Sequence, residues 1–352
     1  MGGTGPDSVP LGFADQVFYS DGNGNPVTPP AASIYNPDPQ AGTLNLYTQR
    51  TQWFNCSDPT VPGIAAITNY LQALPYNLPE KCDPGHYYNA VNINPAWTPQ
   101  GTATPPGSPG TPIPPVTMRS IGDALSDKNI PWKYYGGGYN ASGIVTNRFN
   151  GSYCNICNPF EYQVNFPAMR ADHMRDVTDL FADIAGGNLP AVSYVKPDGL
   201  MDGHPATSKF DLFEAFAGNI IKLVQSNKEL WKETAILITV DEGGGYYDSG
   251  FIQPVDFFGT GPRIPMIAVS PYSAGGHISH VYNEHSSVVK FIERNWKLDT
   301  TLTWRSRDNL PNPHMDDENP YVPTNMPAIG DLFDLFHFGD DNTTGETAAF
   351  HQ

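Results

Sequence analysis

From Met118 onward the apolar residues change their period again and again, and that alternation limits the fold more than any other feature of the chain. "MRSIGDALSDKN" repeats at helical spacing, and "IPWKYYGGG" follows as a strand that ends in glycines. "DVTDLFADIAGGNLP" is a helix stopped by Gly-Gly, and "AVSYVKP" is a strand. "SKFDLFEAFAGNIIKLVQSNKELW" sets Phe213, Phe216, Ile220 and Val224 near one helical face, with Ser208 close to its start. "TAILITVDEGGG" is a fully apolar strand that suits the interior of a parallel sheet. "RIPMIAVSPY" is another strand, and "NEHSSVVKFIERNW" is the helix after it. Helix–strand alternation at this spacing predicts an α/β fold, a mostly parallel sheet covered by helices on both faces.

Before Thr117 the pattern is different. "SDGNGNPVTPPAASIYNPDPQ" and "NPAWTPQGTATPPGSPGTPIPPVT" read as long Pro/Gly-rich loop insertions, with a short helical pattern between them at "VPGIAAITNYLQALP". Gly 34 and Pro 35 in 352 residues belong to long ordered loops. The expectation is a single domain: a loop-rich part over 1–118, an α/β core over 119–335 and a tail over 336–352. No internal repeat is present.

The charge excludes other classes. A net charge of −17 from 19 basic and 36 acidic residues leaves no basic stripe to displace counterions from a nucleic acid. It also opposes electrostatic docking on an anionic membrane. No run approaches the roughly 18 apolar residues of a membrane-spanning helix, and "MGGTGPDSVP" has neither the basic nor the apolar region of a signal peptide. Cys56, Cys82, Cys154 and Cys157 lie in polar loops. Pairing Cys56 with Cys82 and Cys154 with Cys157 would use all four, although four cysteines allow three connectivities and the CxxC also admits zinc. An even count in loops tilts toward an exported protein.

Functional groups in open α/β sheets gather beyond the carboxyl ends of the strands. Three such segments are chemically loaded: "KPDGLMDGHPATS", "DEGGGYYDSG" and "PYSAGGHISHVYNEH". All three are expected to open on one edge. Asp241 and Glu242 are neighbours on a strand and should point apart. Gly243, Gly244 and Gly245 let the chain turn sharply enough for both carboxylates to converge. Two like charges that close need a cation between them, and a hard divalent metal is the economical choice. His204 sits in a Gly-His-Pro loop, while His277, His280 and His285 fall close together. Imidazoles around a carboxylate-bound metal suit the polarising of an anionic oxygen, as in phosphoryl transfer. His173, His337 and His351 read as structural or merely exposed, and His314 has no assigned role. No G-x-S-x-G elbow, phosphate-binding P-loop or dinucleotide fingerprint is present. Thr4 and Ser8 are the nucleophile candidates by position, and the residues alone select neither.

"VKPDGLMDGHPATS", "ITVDEGGGYYDSGFIQPVDFFGTGPRIPMIAVSPY" and "NEHSSVVKFIERNW" resemble the bacterial phosphoesterase family of secreted acid phosphatases and phospholipases C. "CNICNPF" and "RSRDNLPNP" look like its acid-phosphatase-like branch. The resemblance runs from about residue 2 to residue 335 and implies an alkaline-phosphatase-like α/β fold. It also implies hydrolysis of phosphate monoesters or diesters by a metal and a Ser or Thr nucleophile. Carried over, the metal pair falls on Asp241 and Glu242, and the phosphate-site histidine on His204. The histidine before the last helix falls on His285. "TGPDS" makes Thr4 the nucleophile and a further metal ligand, with Asp7 and Ser8 where relatives carry Asn and His. Relatives supply the other ligands from an N-terminal Glu-Asn segment, which is not found in these 352 residues.

The expected function is therefore metal-dependent hydrolysis of phosphate esters, most like an acid phosphatase acting on monoesters. The alternatives are a phospholipase C-type phosphodiesterase and a catalytically weak phosphoesterase-like interaction domain. The implied partners are a small phosphate ester or phospholipid headgroup, with room for a homo-oligomer. The implied location is the periplasm or the exterior.

Overall fold

The computed structural model describes residues 95–104, 115–116, 119–139, 153–244, 246, 248, 263–298, 302, 307–315 and 323–338. It adds short pieces at 19–20, 26–27, 53–54, 64–74 and 88–89. Those pieces hold two small antiparallel pairs, β1 (Tyr19–Ser20) with β2 (Pro26–Val27) and β3 (Trp53–Phe54) with β4 (Tyr88–Asn89). They also hold helix α1 (Ile64–Gln72).

The core starts at α2 (Ile121–Asp127), which lies within the helical repeat of "MRSIGDALSDKN". Ser120 caps it, its Oγ accepting from Asp123 N, while the Asp123 carboxylate accepts from Ser120 N at 2.8 Å. Strand β5 (Trp132–Gly136) follows, then α3 (Phe166–His173), β6 (Met174–Asp176), α4 (Val177–Gly186) and β7 (Val192–Lys196). The three strands form a parallel sheet in the order β6-β5-β7, with Tyr134 opposite both Met174 and Tyr194. The Gly-Gly stop of α4 holds: Gly187 takes the left-handed conformation at φ 69°.

Side chains alternate along each strand, so successive residues feed different cores. Trp132, Tyr134 and Val192 join one cluster with Leu125 of α2, Phe166 of α3 and Phe291 of α7 (His285–Asn295). Tyr135 joins the other with Leu180 of α4 and Phe216 and Val224 of α5 (Phe210–Ser226), against which Trp231 of the short α6 (Lys228–Trp231) packs. Helices thus cover both faces, as the alternation predicted. Burying each of these aromatic or aliphatic side chains stabilises the fold by about 1.5–3 kcal/mol before entropy is charged.

Four details depart from the sequence reading. The first is β6, a three-residue strand that the sequence reading did not mark. The second is Ser208, which does not cap α5: its Oγ donates to Leu200 O at 2.8 Å, and Lys209 is the cap residue. The third is the setting of β8 (Ile236–Thr239). It pairs antiparallel with β9 (Met266–Val269), Ile236 opposite Val269 and Thr239 opposite Met266, and is half-buried. A parallel partner requires a crossover of a dozen or more residues, normally helical. The stretch between these strands is rich in Gly and Pro and has no helical period. Ile236 still packs on one core cluster and Leu237 on the other, so β8 continues the layer between the helices. The fourth detail follows from the third: β9 runs back, so "PYSAGGHISH" leaves from the edge opposite the acidic loop.

Cys154 and Cys157 form the expected disulfide, which uses up the CxxC and removes the zinc alternative there. Cys56 and Cys82 lie outside the described residues. The disulfide loop roofs a buried polar knot in which Tyr153 Oη donates to Glu161 and Asn158 Nδ2 donates to Tyr153 Oη at 2.9 Å.

Candidate active site at the carboxyl end of the sheet

β5 and β7 leave the sheet side by side, and their outgoing chains cross closely. A Cβ at Gly137 would lie 2.3 Å from Asp198 N, so the glycine run after β5 makes room for the loop after β7. Gly137 N also donates to Lys196 O at 2.8 Å.

That loop carries His204. Lys196 pairs with Asp202 (Nζ to Oδ2, 3.0 Å), and the other Asp202 oxygen accepts from His204 N at 2.9 Å. Ala206 N donates to His204 Nδ1 at 3.1 Å. With Nδ1 accepting, the proton of the neutral ring sits on Nε2 and faces solvent, because His204 is exposed. The sequence foresaw a fixed imidazole here. It did not reveal that Lys196 and Asp202 do the fixing, because that ion pair spans the loop.

Asp241 and Glu242 leave β8 and are both exposed. Gly244 has φ +61°, the left-handed turn expected after the acids, and its amide donates to Glu242 Oε2 at 2.6 Å. A Cβ at Gly244 would sit 3.3 Å from the Pro205 ring. The acidic loop therefore touches the His204 loop.

His285, first residue of α7, reaches the same place from a third direction. Its Nε2 lies 3.0 Å from Val240 O, the residue before Asp241. A carbonyl only accepts, so Nε2 carries the proton and the ring pins the exit of β8. His285 is thus placed to position the acidic loop. His277 and His280 lie apart in exposed positions, His277 Nε2 standing 3.7 Å from the Asp334 carboxylate. His173 is structural, stacked on Trp132 with ring centroids 4.0 Å apart and bonded to Trp132 O. Thr4 lies outside the described residues.

The donor chemistry of Asp241 and Glu242, oxygen only and doubly anionic, fits a hard divalent cation. Among the described residues no group of three or more His, Cys, Asp or Glu is arranged to hold one. The pair is at most part of a metal site.

Comparison with known proteins bears on the same region. The hemolytic phospholipase C of Pseudomonas aeruginosa is 27% identical over 243 residues, covering 56% of this chain and 32% of that protein. Phospholipase C B of Mycobacterium tuberculosis is 25% identical over 259 residues, 64% of this chain and 44% of that protein. An acid phosphatase of Aspergillus fumigatus is 24% identical over 206 residues, 56% of this chain and 43% of that protein. The chain spans less than half the length of these curated relatives. The model of the phosphoesterase family matches residues 77–299, well over half of the chain and inclusive of His204, Asp241, Glu242 and His285. The chain belongs to the phosphoesterase family.

Proposed function

We propose that this protein hydrolyses phosphate esters, with a divalent cation held in part by Asp241 and Glu242. The observation that carries the reading is the meeting of three separate segments at the end of β8: the acidic pair, the Gly-His-Pro loop and the first turn of α7. A cation bound there supplies Lewis-acid polarisation of a phosphoryl oxygen. His204, with its proton on the outward Nε2, donates to a phosphoryl oxygen or to the leaving group. His285 holds the strand exit so that Asp241 enters the site from a fixed point. Thr4 is the proposed nucleophile, and the periplasm or exterior the proposed location.

Monoester hydrolysis of the acid phosphatase type is the first substrate reading. The diester reading has its own support, since the hemolytic and several further matches bear the name phospholipase C. Leu200, Phe210 and Tyr246, exposed beside the His204 loop, would suit an ester with an apolar group. The test is turnover of p-nitrophenyl phosphate and of p-nitrophenylphosphorylcholine, with Mn²⁺, Ca²⁺ or Mg²⁺ supplied. The preferred ester identifies the class. Asp241→Asn should cost more than the roughly 10–100-fold loss typical of outer-shell metal partners. Equal rates for parent and variant would remove the acidic loop from the chemistry. Absence of turnover on either ester would favour an interaction domain.

A further inference from the structure

The segment "GPRIP" that leads into β9 has no part in the reading above, yet it returns to the acidic loop. Thr239 at the end of β8 pairs with Met266, and its Oγ1 donates to Pro265 O at 2.7 Å. Counting outward along both chains from that pair brings Arg263 level with Glu242. Arg263 gives three donors to Asp248. Its backbone N–H reaches Oδ2 at 2.7 Å, Nε reaches Oδ1 at 2.9 Å, and Nη2 also donates to Oδ1.

The exposure of this pair is lopsided: the Asp248 side chain is 13% exposed and that of Arg263 62%. An ion pair with one partner so far into solvent adds little to global stability. Its geometry is the informative part. A guanidinium fork joined by a main-chain donor fixes a carboxylate in direction as well as distance.

The rest of the acidic loop is held only from its near side. His285 holds Val240 O, Gly244 N donates to Glu242 Oε2, and Tyr246 N donates to Gly243 O at 3.0 Å. These contacts fix the entrance and the turn, and they leave the far end to other anchors. Gly243, Gly244 and Gly245 bring no stiffness of their own. Asp248, two residues past Tyr246, returns the chain to Arg263 at the base of β9.

We propose that Arg263 and Asp248 are positioning residues of the acidic pair: their clasp closes the loop behind Asp241 and Glu242 and holds both carboxylates toward one cation. The inference rests on the metal reading of that pair and adds the far anchor to it.

The test uses the full chain and Mn²⁺ alone, with binding followed by electron paramagnetic resonance. Melting and amide exchange over residues 241–248 are recorded without metal. Arg263→Gln should weaken Mn²⁺ binding about 10-fold, as loss of an outer partner does. It should also speed exchange in the loop and leave the metal-free melting temperature unchanged. Asp248→Asn should do the same, and the double variant should add nothing further. Arg263→Lys keeps the charge without the fork and should not restore binding. Charge alone predicts the opposite sign for Arg263→Gln, because removing a cation beside a metal site favours the metal.

Unchanged or tighter Mn²⁺ binding in Arg263→Gln, with binding lost in Asp241→Asn, overturns the clasp and leaves the metal reading intact. Loop exchange equal to that of the parent overturns it as well. So does a lowered metal-free melting temperature, which makes the pair a contact of the fold. If Asp241→Asn binds like the parent, or the parent binds no Mn²⁺, the metal reading falls and this inference falls with it.

Discussion

Glu293→Gln should stabilise the protein at alkaline pH and leave it unchanged in acid. Glu293 lies on the inner face of α7, 2% exposed, and Asp308 meets it from the 307–309 turn, itself 4% exposed. Burial first, then the charge and hydrogen bond of Asp308, push the Glu293 carboxyl up to about 9 from 4.5. Lys290 opposes this weakly, for its ammonium donates to Leu310 O at 2.7 Å and Ile329 O at 2.9 Å. Arg294 is committed to Asp331, and Arg307 to Glu284 at 3.1 Å. The sign follows from proton counting. The folded state holds a proton that the unfolded chain releases above about pH 4.5. The pair's contribution is complete below that pH and is lost as pH rises toward 9. Each pH unit in the window costs about 1.4 kcal/mol, so between pH 5 and 8 the parent should lose up to about 4 kcal/mol from this group. Gln keeps a donor for Asp308 and cannot ionise. Urea unfolding followed by tryptophan fluorescence at pH 5, 6, 7 and 8 measures the difference. Parent and variant stabilities that coincide at pH 5 and diverge toward pH 8 support the pair. Parallel curves would falsify it.

Other perturbations follow from the same contacts. His204→Ala should lower kcat about 100-fold for esters with poor leaving groups and far less for p-nitrophenyl esters, since general acid catalysis is needed only for the former. Equal losses would move His204 from leaving-group protonation to phosphate binding. Gly244→Ala should cost about 1–2 kcal/mol, because φ +61° is strained for an L side chain, and its Cβ would press on Pro205. Slower ester turnover with a lowered melting temperature is the expected reading. Reducing Cys154–Cys157 releases a short loop worth about 2 kcal/mol, visible as a lower melting temperature in dithiothreitol. Asp183 is pushed up by burial but held below its usual range by Lys133 at 2.6 Å and by Tyr135. Its contribution is present above the ordinary carboxylate range and lost as pH falls, so Asp183→Asn should flatten the acid limb of the stability curve.

What the sequence determined by itself was local. Helices α2 and α4 announce themselves through their apolar period and, for α4, the Gly-Gly stop, because a helical face and a left-handed turn involve residues within a few positions. Strands β5, β7, β8 and β9 announce themselves through apolar runs, and the turn at Gly244 through three glycines. The electrostatic question posed by the acidic pair was legible too, since neighbouring carboxylates raise it in any fold. Strand direction was not legible, for the apolar pattern of β8 and β9 reads the same parallel or antiparallel. Only the chain's path chose, and it left the loop after β9 on the far edge. The tertiary structure alone decided that His285 grips Val240 and that Lys196 and Asp202 hold His204. It alone set Glu293 against Asp308. Each of these depends on two segments meeting in space, and periodicity records what a segment buries without recording what it meets.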